Sequence, residues 1–228
     1  LLSTKASANN RVRRLPPSAH SMMVAEFWRT IEGHYPILIL GWIGTSADTG
    51  FLRVALSVAV LVGLTSTVVN TVLMPRISAL WAKRELIDLQ TLLTRAAVMS
   101  ISVTTVAAFA VVVLGRDLLR IAFGAEYEAA WVPLFVVAIS YVVNSSSGAV
   151  VTLLNMTGHE RVVLFAYAGS ACVGAGLAIA FQASFGAIGV PIAMVLAELV
   201  KCIGLCLVAA KRLGLRASAV SGLHPRMP

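Results

Sequence analysis

The stretch 131–156 reads WVPLFVVAISYVVNSSSGAVVTLLNM and contains no charged residue. As a helix rising about 1.5 Å per residue, it is long enough to cross roughly 30 Å of hydrocarbon. A compact polar turn follows it, Thr157-Gly158-His159-Glu160-Arg161, and leads straight into another apolar run. The chain is therefore expected to cross a bilayer, turn within a few residues and cross back. Composition extends the same constraint to the whole molecule. Hydrophobic residues make up 58% of the sequence and charged residues 12%, with a mean hydropathy of +0.88, where a soluble domain carries about 25% charged residues. Barrel strands would alternate apolar and polar residues in segments of roughly ten, and no such rhythm is visible. The net charge of +8 does not lead to nucleic acid, because the basic residues cluster at the ends of apolar runs and form no basic helix or aromatic stripe.

These features predict an all-α polytopic membrane protein, a six-transmembrane-helix bundle over 19–210. Its spans are expected at about 19–43, 51–74, 92–114, 131–156, 162–181 and 187–210. A cytoplasmic linker, 1–18, with Lys5, Arg11, Arg13 and Arg14, precedes the bundle, and a cytoplasmic tail, 211–228, with Lys211, Arg212 and Arg216, follows it. The linker is not a secretory signal, since no short apolar core with a small-residue cleavage site follows its charges. Lys and Arg concentrate in the linker, the 76–89 connector, the turn at Arg161 and the tail, so both termini are expected in the cytoplasm. Pro75 is expected to end the second apolar run. Ile77, Leu80, Trp81 and Leu89 would then give the connector an amphipathic face on the membrane surface. The segment 115–129 reads as a mixed-charge cap. Thr65-Ser66-Thr67, Asn70 and the glycines Gly169, Gly174 and Gly176 suit close helix packing.

Charges inside the spans are the candidates for function. Glu26, Arg29 and Glu32 are three apart, so on a helix they share a face with the arginine between two acids; His34 follows, with Gly33 and Pro36 beside it. A charge at the centre of a span costs roughly 2.5–3.5 kcal/mol on insertion scales. Either this segment is partly interfacial and self-neutralising, or Gly33 and Pro36 break the helix and the charges line a transport path. Arg53 reads as a snorkelling arginine at the outer end of the second span. Glu198 and Lys201, three apart in the sixth span, read as a mutual pair, with an ion-coupling carboxylate as the other reading. Cys202 and Cys206 share a helix face but have no His or carboxylate company, so they and Cys172 read as packing residues, and no metal or other cofactor is expected. No phosphate loop or nucleophile elbow is present, which argues against an enzyme.

Several pieces in order resemble a known family: Ile37-Leu38-Ile39-Leu40-Gly41, Gly50-Phe51-Leu52-Arg53-Val54-Ala55, Pro75-Arg76-Ile77-Ser78, Phe123-Gly124-Ala125-Glu126-Tyr127 followed by Ala130, Asn155-Met156-Thr157-Gly158-His159-Glu160-Arg161, and Phe185-Gly186-Ala187-Ile188-Gly189. From about Arg13 to Ser218 the chain resembles the carboxy-terminal half of bacterial oligosaccharide flippases, within the multidrug, oligosaccharidyl-lipid and polysaccharide flippase superfamily. One departure is Pro36, which stands where that family often has an acid, with Glu32 a turn earlier. The resemblance implies a multi-pass protein of the bacterial cytoplasmic membrane. It would move a polyprenyl-pyrophosphate-linked oligosaccharide between leaflets by alternating access, for surface polysaccharide biosynthesis such as lipopolysaccharide. It also implies that this bundle works with an amino-terminal six-helix half or a second subunit. Arg29, with Arg53 as a second cation, would bind the substrate. Glu26, Glu32, His34, Glu198 and Lys201 would line the cavity or couple transport to a proton or sodium ion. The other functions open to such a chain are export of drugs or of the peptidoglycan lipid precursor, a membrane-bound glycan transferase or polymerase using Asp117, Glu126 or Glu128, and a non-transporting assembly subunit.

Overall fold

The computed structural model describes residues 17–213, and the 1–16 part of the linker and the 214–228 part of the tail lie outside the described residues. Six α-helices and two short 3-10 turns account for the described chain: α1 (Pro17–Ile43), α2 (Ser46–Lys83), α3 (Leu86–Phe123), a turn Ala125–Ala130, α4 (Trp131–Met156), α5 (Glu160–Phe185), a turn Gly186–Ile188, and α6 (Gly189–Leu213). Among the described residues, five helical segments are long and apolar enough to cross a membrane: α2, α3, Ala125–Met156, α5 and α6. This fits a multi-pass membrane protein. α1 has the length, 27 residues, but carries Glu26, Arg29 and Glu32 and is not among the five.

Consecutive helices run antiparallel because each connection is short. The α1–α2 turn is closed by Thr45, whose hydroxyl oxygen accepts from the Asp48 amide at 3.1 Å and satisfies a free amide of the first turn of α2. The α2–α3 turn contains Arg84 in the left-handed region, φ 58°. There the Arg84 amide donates to the Trp81 carbonyl and the Glu85 amide to the Leu80 carbonyl, each at 3.1 Å, which satisfies two of the last carbonyls of α2. Packing then pairs α1 with α5, α5 with α6, α2 with α3 and α4, and α4 with α3 and α6.

Two expectations change. α2 does not stop at Pro75: the helix continues to Lys83, so 76–83 is a helical extension and the connector shrinks to the Arg84–Glu85 turn. Ile77 and Leu89 are fully buried against Leu153, Leu154 and Leu205, where a membrane-surface face was expected. The physical reason is that packing on several sides holds the helix through a proline that on its own would end it. Likewise 115–123 belongs to α3, and only 125–130 forms a separate turn.

The interior has an apolar core at each end, with a mixed middle where a small apolar cluster of Val62, Ala108 and Ala138 adjoins polar side chains. At one end Leu40, Leu52, Leu119, Leu134, Val137 and Val190 form a core. At the other end Ile77, Leu93, Leu153, Val163 and Leu205 form a second. Large apolar side chains also face outward, as at Phe109 (70% exposed) and Ile121 (85%), while Ala, Ser and Thr fill much of the inside. That distribution suits helices surrounded by lipid, where small residues and hydroxyls give close contact and water is not the solvent to be avoided. Thr104 illustrates it, lying 3.1 Å from the Thr65 hydroxyl and 2.8 Å from the Ser66 hydroxyl across the α2–α3 seam.

Candidate functional site

Between the two apolar cores lies a cavity of about 370 Å³. Its lining follows two helical stripes. α2 supplies Gly63, Ser66, Thr67 and Asn70 with the apolar Val60 and Leu64, and α4 supplies Tyr141, Asn144, Ser145, Gly148 and Thr152 with Val151. Each set recurs at three- and four-residue spacing, so each is one face of its helix. Arg29 from α1 and Tyr167 from α5 also line it. Two glycines let side chains of the lining pack closely on the facing helix. A Cβ on Gly63 would lie 2.6 Å from Tyr141 Cε1, and one on Gly148 would overlap the Asn70 amide, so a larger residue at either position would displace the side chain opposite it. The Asn70 side-chain oxygen is buried and has no hydrogen-bond partner among the described residues. A buried amide acceptor left unpaired is a costly arrangement, and a ligand hydroxyl or amine would satisfy it.

Beside the cavity is a cluster of buried charge. Lys201 Nζ lies 2.9 Å from Glu32 Oε2 and 2.9 Å from both Glu198 oxygens. The lysine side chain is 1% exposed, Glu32 11% and Glu198 15%. The cluster joins α1 to α6 across 169 residues of sequence. Lys201 Nζ also sits 4.7 Å from the centroid of the Tyr167 ring, close enough for a cation–π contact. Tyr167 is thus shared between cluster and cavity. Tyr35, one turn beyond Glu32, packs over Gly174 of α5, where a Cβ would overlap its hydroxyl.

The sequence-predicted residues separate into two groups. Glu26 and Arg29 pair with each other through two hydrogen bonds on an outer face, with side chains 60% and 59% exposed. Glu32 turns away from Arg29 to Lys201, so the expected ladder of one arginine between two acids is split. α1 is continuous through Gly33 and Pro36, which corrects the reading of a broken helix. The structure brings together Glu32, Glu198 and Lys201, and sets Arg29 at the cavity. His34 is exposed, with Nδ1 2.8 Å from the Thr30 carbonyl of its own helix, and lines neither cavity nor cluster. Arg53 is exposed on α2, outside the cavity lining. Cys202 Sγ is 2.9 Å from the Ser146 hydroxyl and ties α6 to α4, while Cys172 is exposed. Sequence reasoning missed Asn70, Asn144, Tyr141 and Tyr167 as cavity residues. The signal available for the first three was the polar periodicity of α2 and α4. Among the described residues no group of three or more His, Cys, Asp or Glu is arranged to hold a metal ion.

Comparison with protein-family models, curated proteins and solved structures finds no match for this chain. The functional reading therefore rests on the geometry and on the resemblance of the sequence pieces.

Proposed function

We propose that the chain is one six-helix bundle, α1 included, of a bacterial cytoplasmic-membrane flippase that moves a polyprenyl-pyrophosphate-linked oligosaccharide between leaflets for surface polysaccharide biosynthesis. The observation that carries this reading is the polar cavity held between two apolar ends. Amides and hydroxyls suit the donor and acceptor pattern of a sugar, and the rings of Tyr141 and Tyr167 offer faces for its apolar side. Arg29 at the cavity supplies a cation for pyrophosphate, with Glu26 holding the guanidinium in place. The hydroxyls and amides set among Val60, Leu64 and Val151 favour a glycan, with polar edges and apolar faces, over a wholly apolar drug.

The buried cluster is the coupling device in this reading. One lysine against two glutamates leaves a formal excess of one negative charge away from water, which a proton or an alkali cation would neutralise. Because Tyr167 touches both cluster and cavity, occupancy of one bears on the shape of the other. Alternating access would then act between this bundle and an amino-terminal six-helix half or second subunit, with both termini of this chain in the cytoplasm.

Replacing Arg29 by Ala in the complete transporter is expected to abolish glycan export, measured as surface polysaccharide on intact cells, at unchanged membrane protein level. Normal export at normal protein level would remove Arg29 from the substrate path.

A further inference from the structure

A second cleft, of about 380 Å³, lies on the outside of the bundle where α2 and α3 approach their shared turn. We propose that it binds an anionic phospholipid, with the phosphodiester held between Arg76 and Arg95 and a hydroxylated headgroup, glycerol being the simplest, reaching Asp88. The inference does not depend on the transport reading.

Four observations converge on it. First, Arg76 and Arg95 both line the cleft from different helices, both are exposed, and neither makes an ion pair among the described residues. Two unpaired guanidiniums facing one space are a natural fork for a phosphate. Second, both stand near the ends of apolar runs, where a span meets lipid headgroups. Arg76 directly follows the apolar part of α2 and Arg95 stands in the first turn of that of α3, and each is roughly 12–16 Å along its helix from the turn at Arg84. Third, the charge balances: two arginines and Asp88 give the lining a formal excess of one positive charge, which a singly charged phosphodiester neutralises and a zwitterionic lipid does not. Fourth, the same helix faces continue toward the apolar part of each helix as Val72, four residues before Arg76, and Met99, four after Arg95. They are 65% and 59% exposed and offer a track for an acyl chain, which a free phosphate ion would not need. Basic pockets between helices at the headgroup level are a recurrent way of holding anionic lipids.

The test uses the purified chain in mild detergent and native mass spectrometry with phosphatidylglycerol, phosphatidylethanolamine, phosphatidylcholine or inorganic phosphate added. Retention of phosphatidylglycerol at least tenfold above the other two lipids is expected. Arg76→Gln with Arg95→Gln should weaken it about thirtyfold, at roughly fivefold per arginine. Arg120→Gln at the opposite end of α3 should leave it unchanged. If the double variant elutes as aggregate, each single variant is read instead, with about a fivefold loss expected. Equal retention of all three lipids, undiminished binding by the arginine variants, an equal loss in Arg120→Gln, or displacement of the lipid by equimolar inorganic phosphate would each overturn the proposal.

Discussion

Lys201 is the residue whose surroundings say most about this molecule. An ammonium this deeply buried is tolerable only because Glu32 and Glu198 both lie at 2.9 Å. Removing one member of a buried pair leaves an uncompensated charge and costs about 3–5 kcal/mol. Lys201→Met is therefore expected to destabilise the detergent-purified protein by that amount, read by denaturant titration of tryptophan fluorescence. Adding Glu32→Gln and Glu198→Gln to the same variant should recover most of the loss; parent-like stability of Lys201→Met alone would show that the cluster does not form. Two of the three members of this cluster were legible in the sequence, since Glu198 and Lys201 are three apart on one helix. The third was not. Glu32 has a local cation at Arg29 at the same spacing, and nothing in a one-dimensional pattern shows that it turns instead to a lysine from the far end of the chain. Local spacing correctly gives the Glu26–Arg29 pair because that pair is exposed and no distant helix competes for it.

At the scale of elements, the α2–α3 hairpin departs furthest from expectation. The apolar run stops at Pro75, but the helix does not, because burial of Ile77 and Leu89 holds the chain on both sides of the turn. Hydropathy reads where lipid could surround a segment; it does not read where helix continues past the lipid. The turn itself stores an avoidable cost, since Arg84 occupies the left-handed region that glycine adopts freely. Arg84→Gly is expected to stabilise the protein by about 1 kcal/mol, measured by the same titration, and a loss of stability would show that the Arg84 side chain makes a contact that offsets its backbone strain. The cavity stripes on α2 and α4 belong to this scale too. Their polar residues recur with helical period, but hydroxyl stripes in apolar helices also serve packing, as Thr65 and Ser66 do with Thr104. The glycines opposite Tyr141 and Asn70 are also sites of close packing, so the spacing of polar residues does not by itself separate a lined space from a closed seam.

For the whole molecule, the composition set the class of fold: greasy outer faces, small residues inside, and antiparallel helices joined by brief turns. Phe109, 70% exposed near the middle of α3, tests the first of these. Phe109→Lys is expected to add about 2.5–3.5 kcal/mol to the cost of inserting that span and to lower the carbonate-resistant membrane fraction, while Phe109→Leu should match the parent. Equal insertion of the lysine variant would mean that this face does not meet lipid. The two longest helices add a dimension that apolar runs alone do not convey. Each has 38 residues, about 57 Å at 1.5 Å per residue, against roughly 30 Å of hydrocarbon. Even leaning by 40°, the upper end of ordinary tilts, such a rod spans about 44 Å of depth. With the headgroup layers included a bilayer is about 40–45 Å thick, so a pair this long reaches through both of them, and its exposed turn, Lys83, Arg84 and Glu85, is left clear of the hydrocarbon where charged visitors from the water can touch it.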